Sequence, residues 1–347
     1  MSSSLRTTIY GTIFLAILLG GVYCSVPRTY DVPAFVTRAG TNYWELTTGS
    51  HIGYLHLEHT SQLKKSPIVY VHGGPGGMVR DVQIEALKPL TAQGHDLYFY
   101  DQIGSGHSVR LANPTDYSVV RHSADLHAVL QQIDAPKIIL IGHSWGAVLV
   151  ANYLQNYPTD RIEKVLFEVP GPILPVDPSR RNPAKNLPFV PIKPELTNYD
   201  ANERMKSWRV RWVRAGAIFL GTKLGSDTEM DQYMALWDRE LNRSTTCTAK
   251  KNVPVQPGSG YFAHIMTVQR FNEVADRREA FAQLRIPVLV LMAECDNQPS
   301  GYAAEYLDLI PSAELAVLRK SGHDMATDQP KLYLEIVSNF LAKPKKN

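Results

Sequence analysis

The chain has 347 residues, 44% apolar and 20% charged, and its 36 Lys+Arg against 33 Asp+Glu leave a formal charge of +3. That composition belongs to a globular protein, and the charge is too even for the footprint of a nucleic-acid binder. No paired Cys-x-x-Cys, His-Glu-x-x-His or calcium-loop spacing occurs among the residues, so neither a metal nor an organic cofactor is expected.

The first element is apolar. No charged residue falls between Thr7 and Pro27, and Ile9–Val26 is mostly hydrophobic, with Arg6 before it and Arg28 after. The run is longer than an ordinary signal h-region and just long enough to span a bilayer. Two readings stay open for residues 1–27: a cleaved export signal, with a poor small-residue pattern at Val22 and Cys24, or a retained anchor that gives membrane association. Tyr23 argues against lipid attachment at Cys24. Either way the following domain is exported or tethered, and the balanced flanking charges do not choose a side.

Asn42–Leu46 and His51–Glu58 then read as a hairpin around Thr48-Gly49-Ser50. Strands are predicted near 68–72, 97–101, 137–142, 165–168, 287–292 and 314–318, alternating with helical patterns such as Ala147–Tyr157 and Gly301–Ile310. Strand after helix after strand implies an α/β architecture with a mostly parallel twisted sheet and helices on both faces. The alternation stops between Gly171 and Leu284. There, Pro170, Pro172, Pro175, Pro178, Pro183, Pro188, Pro191 and Pro194 precede helix-like stretches at Asn202–Gly216, Thr228–Leu241 and Tyr261–Leu284. The expected organisation is a core over 28–171, a helical insertion over 172–284 and the rest of the core over 285–347.

Chemistry concentrates at the strand ends. Ile138–Ile141 feeds Gly142-His143-Ser144-Trp145-Gly146, a Gly-x-Ser-x-Gly turn between a strand and a helix. Such a turn holds its serine strained and exposed at the tip, with helix N–H groups behind it. Upstream, Pro67–Val71 leads into His72-Gly73-Gly74-Pro75-Gly76-Gly77, which lacks the Lys before Ser/Thr of a phosphate loop. Gly73 or Gly74 and the residue after the nucleophile, Trp145, can supply the two N–H groups of an oxyanion hole.

Downstream, Ile286–Met292 ends in Ala293-Glu294-Cys295-Asp296, and the last strand is followed by Lys320-Ser321-Gly322-His323-Asp324. Ser144, Asp296 and His323 stand in the order expected of nucleophile, acid and base. Among the eleven histidines, His51, His56, His59, His95, His107, His122 and His127 suit surface positions, and His143 should point away from the Ser144 hydroxyl. Glu168 competes with Asp296 for the acid, and Glu294 and Asp324 are weaker rivals. Asp101-Gln102 reads as a structural brace. Cys247 and Cys295 could pair if exported, although Cys295 also reads as a buried apolar residue.

These segments resemble the α/β-hydrolase fold, and within it the proline iminopeptidase-like branch. The resemblance rests on His72-Gly73-Gly74-Pro75-Gly76, on Asp101-Gln102-Ile103-Gly104-Ser105-Gly106-His107-Ser108 and on the Gly-x-Ser-Trp-Gly elbow. It implies a serine hydrolase with an acyl-enzyme intermediate, an inserted cap over the strand ends, and cap carboxylates that bind a free α-amino group. Asp238, in Leu236-Trp237-Asp238-Arg239-Glu240, fits the acid that the branch places beside a Trp. The branch's second acid, just before a Tyr-Phe pair, has no counterpart, because Gly258-Ser259-Gly260 precedes Tyr261-Phe262. Substrate-binding candidates are therefore Asp238, Glu168 and Trp237. The implied substrate is a small peptide, amino-acid amide or ester. A carboxylesterase or lipase-like hydrolase of small esters is the alternative, and a catalytically silent binding scaffold is a third reading that intact Ser144, Asp296 and His323 count against.

Overall fold

In the computed structural model, residues 9, 10, 12, 20–182, 184, 187–193, 196, 198–248 and 252–344 are described. The strands are β1 Thr41–Glu45, β2 His51–Leu57, β3 Ile68–Val71, β4 Leu97–Tyr100, β5 Ile138–His143, β6 Ile162–Glu168, β7 Val288–Ala293 and β8 Ala313–Leu318. They form one sheet in the order β1-β2-β4-β3-β5-β6-β7-β8. β2 runs antiparallel to both β1 and β4, and every later pairing is parallel, as the strand–helix alternation predicts.

Side-chain alternation divides the interior in two. Val69, Val71, Leu140, Val165, Phe167, Val288 and Val290 face one apolar layer, with α2 Val119–Gln132, α3 Trp145–Asn156 and α8 Ser300–Leu309. Ile68, Tyr70, Ile139, Ile141, Leu166, Leu289 and Leu291 face the other, against α1 Asp81–Leu87, α9 Met325–Asp328 and α10 Pro330–Ala342. β3, β5 and β7 are buried along their whole length. Strands covered on both faces need no polar residue in register, which is why these runs read as continuous hydrophobic stretches.

The insertion between β6 and β7 carries α4 Asn198–Arg204, α5 Trp208–Leu220, α6 Asp227–Asn242 and α7 Tyr261–Gln269. The helix predicted over Asn202–Gly216 is two helices, because the Ser207 side chain accepts the Val210 N–H and starts α5 anew. The pattern predicted to run from Tyr261 to Leu284 stays helical only to Gln269. A 3₁₀ turn at Phe271–Glu273 and a two-turn 3₁₀ helix at Arg278–Gln283 follow, where polar Asn272, Glu273, Asp276 and Arg277 break the apolar periodicity. Val213, Met230, Tyr233 and Tyr261 join these helices to the first apolar layer.

α5 and α6 are also locked by a fully buried pair, Arg209 Nη2 to Glu229 Oε2 at 2.7 Å. The N-terminal segment docks on that pair: the Arg28 N–H donates to Glu229 Oε1 at 2.8 Å, and Arg209 Nη1 donates to the Cys24 carbonyl at 3.0 Å. Most of the apolar run before Cys24 lies outside the described residues. Among those described, no helix is long and apolar enough to cross a membrane.

Candidate active site

The register brings the C-terminal ends of the central strands together: Gly142 lies opposite Val71 and Phe167, and His143 lies opposite Glu168. Ligand sites in open parallel sheets lie at this edge. Ser144 follows immediately, with φ 55° and ψ −115°. The turn is tight enough to need glycine on both sides. A Cβ on Gly146 would overlap the Val71 carbonyl, and one on Gly142 would stand 2.7 Å from the Gly146 carbonyl. The Ser144 N–H donates to the Glu168 carbonyl at 2.9 Å, and its own carbonyl accepts from Ala147 at 3.0 Å. Neighbouring strand and helix therefore hold the strained residue from both directions.

The glycine-rich loop lies against this turn. A Cβ built on Gly73 would come within 3.2 Å of Ser144 Cβ, and Gly74 has φ 136°, where other residues are strained. Trp145 is the first residue of α3, so its N–H belongs to the set an α-helix leaves without an intrahelical partner. Its side chain is buried and contributes bracing only: Nε1 donates to Gln102 Oε1 at 2.8 Å. Gln102 in turn donates its backbone N–H to His72 Nε2 and its side-chain N–H to the His72 carbonyl, both at 2.9 Å. Beside it, the Asp101 carboxylate accepts from the N–H groups of Val79 and His107 and from the His107 ring. Burial pushes the Asp101 carboxyl up, but the His107 hydrogen bond and its neighbours prevail and hold it below the usual range.

His323 Nδ1 donates to Asp296 Oδ1 at 2.8 Å, and the same oxygen accepts the Gln298 N–H at 3.0 Å. His323 and Ser144 line one cavity of about 400 Å³. The rival acids are engaged elsewhere. Glu294 accepts from Arg319 and from the Lys320 N–H. Asp324 pairs with Arg80 at 3.1 Å and accepts from Thr327 Oγ1. His143, its ring 5.1 Å from that of His323, is driven down to about 3 by burial, with His323 and Arg80 adding to it against the pull of Asp324 and Asp296, so it stays neutral.

Glu168 corrects the sequence reading, which carried it as a rival acid and pocket residue. Two positions after Leu166, it projects to the same face of the sheet, toward α10. There it borders a small separate cavity with Tyr70, Gln83, His143 and Tyr333. Its Oε1 accepts the Tyr333 hydroxyl proton at 2.5 Å, and burial pushes the carboxyl up to about 8.

The cap supplies the opposite wall of the main cavity. Asp238 and Trp237 both line it, together with Asn242. Trp237 Nε1 donates to Asn202 Oδ1 at 2.9 Å, which turns the ring edge into a fixed part of the wall. Burial pushes the Asp238 carboxyl up to about 6, against the opposing pull of a hydrogen bond from Ser259 and of the Arg80 charge. Glu240, two residues on and so on the other side of the helix from Asp238, is occupied with Arg239 and Arg243. The carboxylates that look alike in sequence are thus separated by helix phase. Two cavity residues escaped the sequence reading. Ser259 stands where the second acid was sought and bonds the first one. Arg80 is a cation beside the glycine loop, and nothing local marks its partner Asp324, 244 residues away.

Cys247 and Cys295 form a disulfide with a Cα–Cα distance of 5.0 Å, joining the cap to the residue beside Asp296. Among the described residues, no group of three or more His, Cys, Asp or Glu could hold a metal ion.

Residues 66–330 match the α/β hydrolase fold family. Among curated relatives, the proline iminopeptidase of Heyndrickxia coagulans is 22% identical over 290 residues, covering 80% of this chain and 90% of that protein. That of Lacticaseibacillus rhamnosus is 23% identical, covering 83% and 94%. Among solved structures, an esterase from Exiguobacterium antarcticum superposes with a TM-score of 0.58 at 16% identity, over 87% of this chain and 99% of that one. At that identity the likeness is one of fold.

Proposed function

This chain belongs to the α/β hydrolase fold family, and from that premise we propose that it is a serine aminopeptidase that releases the N-terminal residue of short peptides. The observation that carries the reading is Asp238, a carboxylate on the cap that faces the same cavity as Ser144 and His323. An ammonium group held there fixes how far the first carbonyl reaches toward the elbow. A charge-assisted hydrogen bond in an enclosed cavity is the strong kind.

In this reading Ser144 Oγ attacks the carbonyl carbon while His323 Nε2, left free by the Nδ1–Asp296 bond, takes the hydroxyl proton. The oxyanion is met by the Trp145 N–H and a Gly73 or Gly74 amide. His323 returns the proton to the leaving nitrogen as the C–N bond breaks. Water, deprotonated by His323, then hydrolyses the acyl-Ser144 ester. Asp296 keeps the imidazole oriented and stabilises its charged form. The cap limits water access and, through Asp238 and Trp237, admits a small residue with a free amine. We further propose that the protein works exported or tethered outside the reducing cytosol, as the apolar N-terminal run and the Cys247–Cys295 bridge together support.

The test compares a prolyl anilide bearing a free amine with its N-acetyl form, using Ser144→Ala as background. Cleavage of the free amine alone is expected. Asp238→Asn should raise its KM by roughly 30-fold or more and leave hydrolysis of a small neutral ester within about twofold. The sign of the pH effect follows from the raised carboxyl: below about 6, Asp238 is protonated and the ammonium loses its partner. KM for the free amine should therefore rise as pH falls through that region, and Asp238→Asn should lack this limb. Equal cleavage of the acetylated anilide would replace the aminopeptidase with a general amidase or esterase.

A further inference from the structure

Just beyond the end of α6, the cap sends a short segment, Ser244-Thr245-Thr246-Cys247, with its first three residues buried, down between the two loops that carry Asp296 and His323. Its contacts fall on the residues flanking each of them. On either side of Asp296, Cys295 is disulfide-bonded to Cys247 and Asn297 Nδ2 donates to Ser244 Oγ at 3.1 Å. On either side of His323, the Asp324 N–H donates to the Thr245 carbonyl at 3.0 Å, and Gly322 packs so closely that a Cβ would overlap that same carbonyl. The two loops touch directly through the Cys295 N–H and the Ser321 carbonyl, at 2.8 Å. They leave different strands, β7 and β8, so the cap segment adds a second tie between them, covalent to the Asp296 loop and hydrogen-bonded to the His323 loop.

Resting on the serine-hydrolase reading above, we propose that Ser244–Cys247 is a positioning element for the Asp296–His323 pair, with the Cys247–Cys295 bridge as its lock. The cap then has two roles, since it walls the cavity and holds the acid and base in register. Opening the bridge with a dithiol passes two electrons and two protons to it, giving two cysteine thiols and one oxidised dithiol. The segment is then free to lift from both loops. An error of about 1 Å in a catalytic group can cost a hundredfold in rate.

The experiment follows the full chain as oxidised protein, as dithiol-reduced protein and as Cys247→Ser/Cys295→Ser, with circular dichroism to establish that each is folded. Thiol titration should rise from one, Cys24, to all three cysteines on reduction. Reduction should lower kcat by at least tenfold with KM little changed. Labelling of Ser144 by a fluorophosphonate should slow by a similar factor, and reoxidation should restore both. Gly322→Ala, with the bridge intact, should reproduce the loss. A readout independent of turnover is the low-field imidazole proton of His323 on Nδ1, expected sharp in the oxidised protein and lost on reduction. Fully reduced, folded protein that labels and turns over within twofold of the oxidised form overturns the proposal. So does an Nδ1 proton resonance unchanged by reduction. Oxidised protein that neither labels nor turns over discards the serine-hydrolase reading instead, and the proton resonance still decides whether the segment positions the pair.

Discussion

Ser144 occupies a backbone conformation that costs a non-glycine residue about 1–3 kcal/mol. The surrounding strand, helix and glycine contacts hold it there, so the strain is stored in the native state. Ser144→Gly should therefore unfold at higher urea than Ser144→Ala, by about 1 kcal/mol, although both should be inactive. Glu168 makes a second prediction. Its folded carboxyl titrates near 8 because it is buried, whereas in the unfolded chain it ionises several units lower. Between those values only the unfolded state has released the proton, so stability falls as pH rises and levels off above about 8. Glu168→Gln keeps the neutral shape and should gain roughly 2–4 kcal/mol over the native protein at pH 8.5, with the gap closing toward pH 5, as measured by chemical denaturation at each pH. Ser144 and its glycines were legible in sequence because one turn contains them all. That Glu168 lines a neighbouring pocket and not the main cavity was not, because it depends on which face of β6 the side chain takes.

At the scale of elements, the cap shows how helices with polar sequences can carry a buried pair. Arg209 lies in the first turn of α5 and Glu229 in the first turn of α6, and nothing in either stretch marks them as partners, yet both side chains are shielded from water. Glu229 also accepts the Arg28 N–H, so the pair ties the N-terminal segment to both helices. Arg209→Met leaves a buried carboxylate without its cation and should cost about 3 kcal/mol, seen as a lower urea midpoint. It should also free residues near Cys24, read as faster limited proteolysis there. The central strands were predicted to within a few residues because each is an apolar run between glycine, proline or polar breaks. The cap helices were harder, since their limits were set by a cap residue such as Ser207 and by loss of periodicity after Gln269.

At the scale of the whole molecule, the core is one sheet interrupted by the cap, and the bridge fastens the cap back across a separation of 48 residues. Closing a loop of that size removes enough unfolded-chain entropy to stabilise the fold by about 4 kcal/mol. For a chain of this length the reduced protein should melt about 5 °C lower, which calorimetry with and without a dithiol would measure.

By itself the sequence determined the order of strands and helices, the elbow at Ser144, the glycine loop at His72–Gly77 and the placing of Asp296 and His323 after late strands. Each of these is local: a run of apolar residues, a turn that demands glycine, a polar residue at a strand end. Only the tertiary structure decided that Asp238 and not Glu240 faces the cavity, that Glu168 lies behind the elbow, that Ser259 bonds Asp238, and that Cys247 reaches Cys295. Those outcomes depend on helix phase, sheet face and distances between segments far apart in the chain, and residue spacing does not encode them.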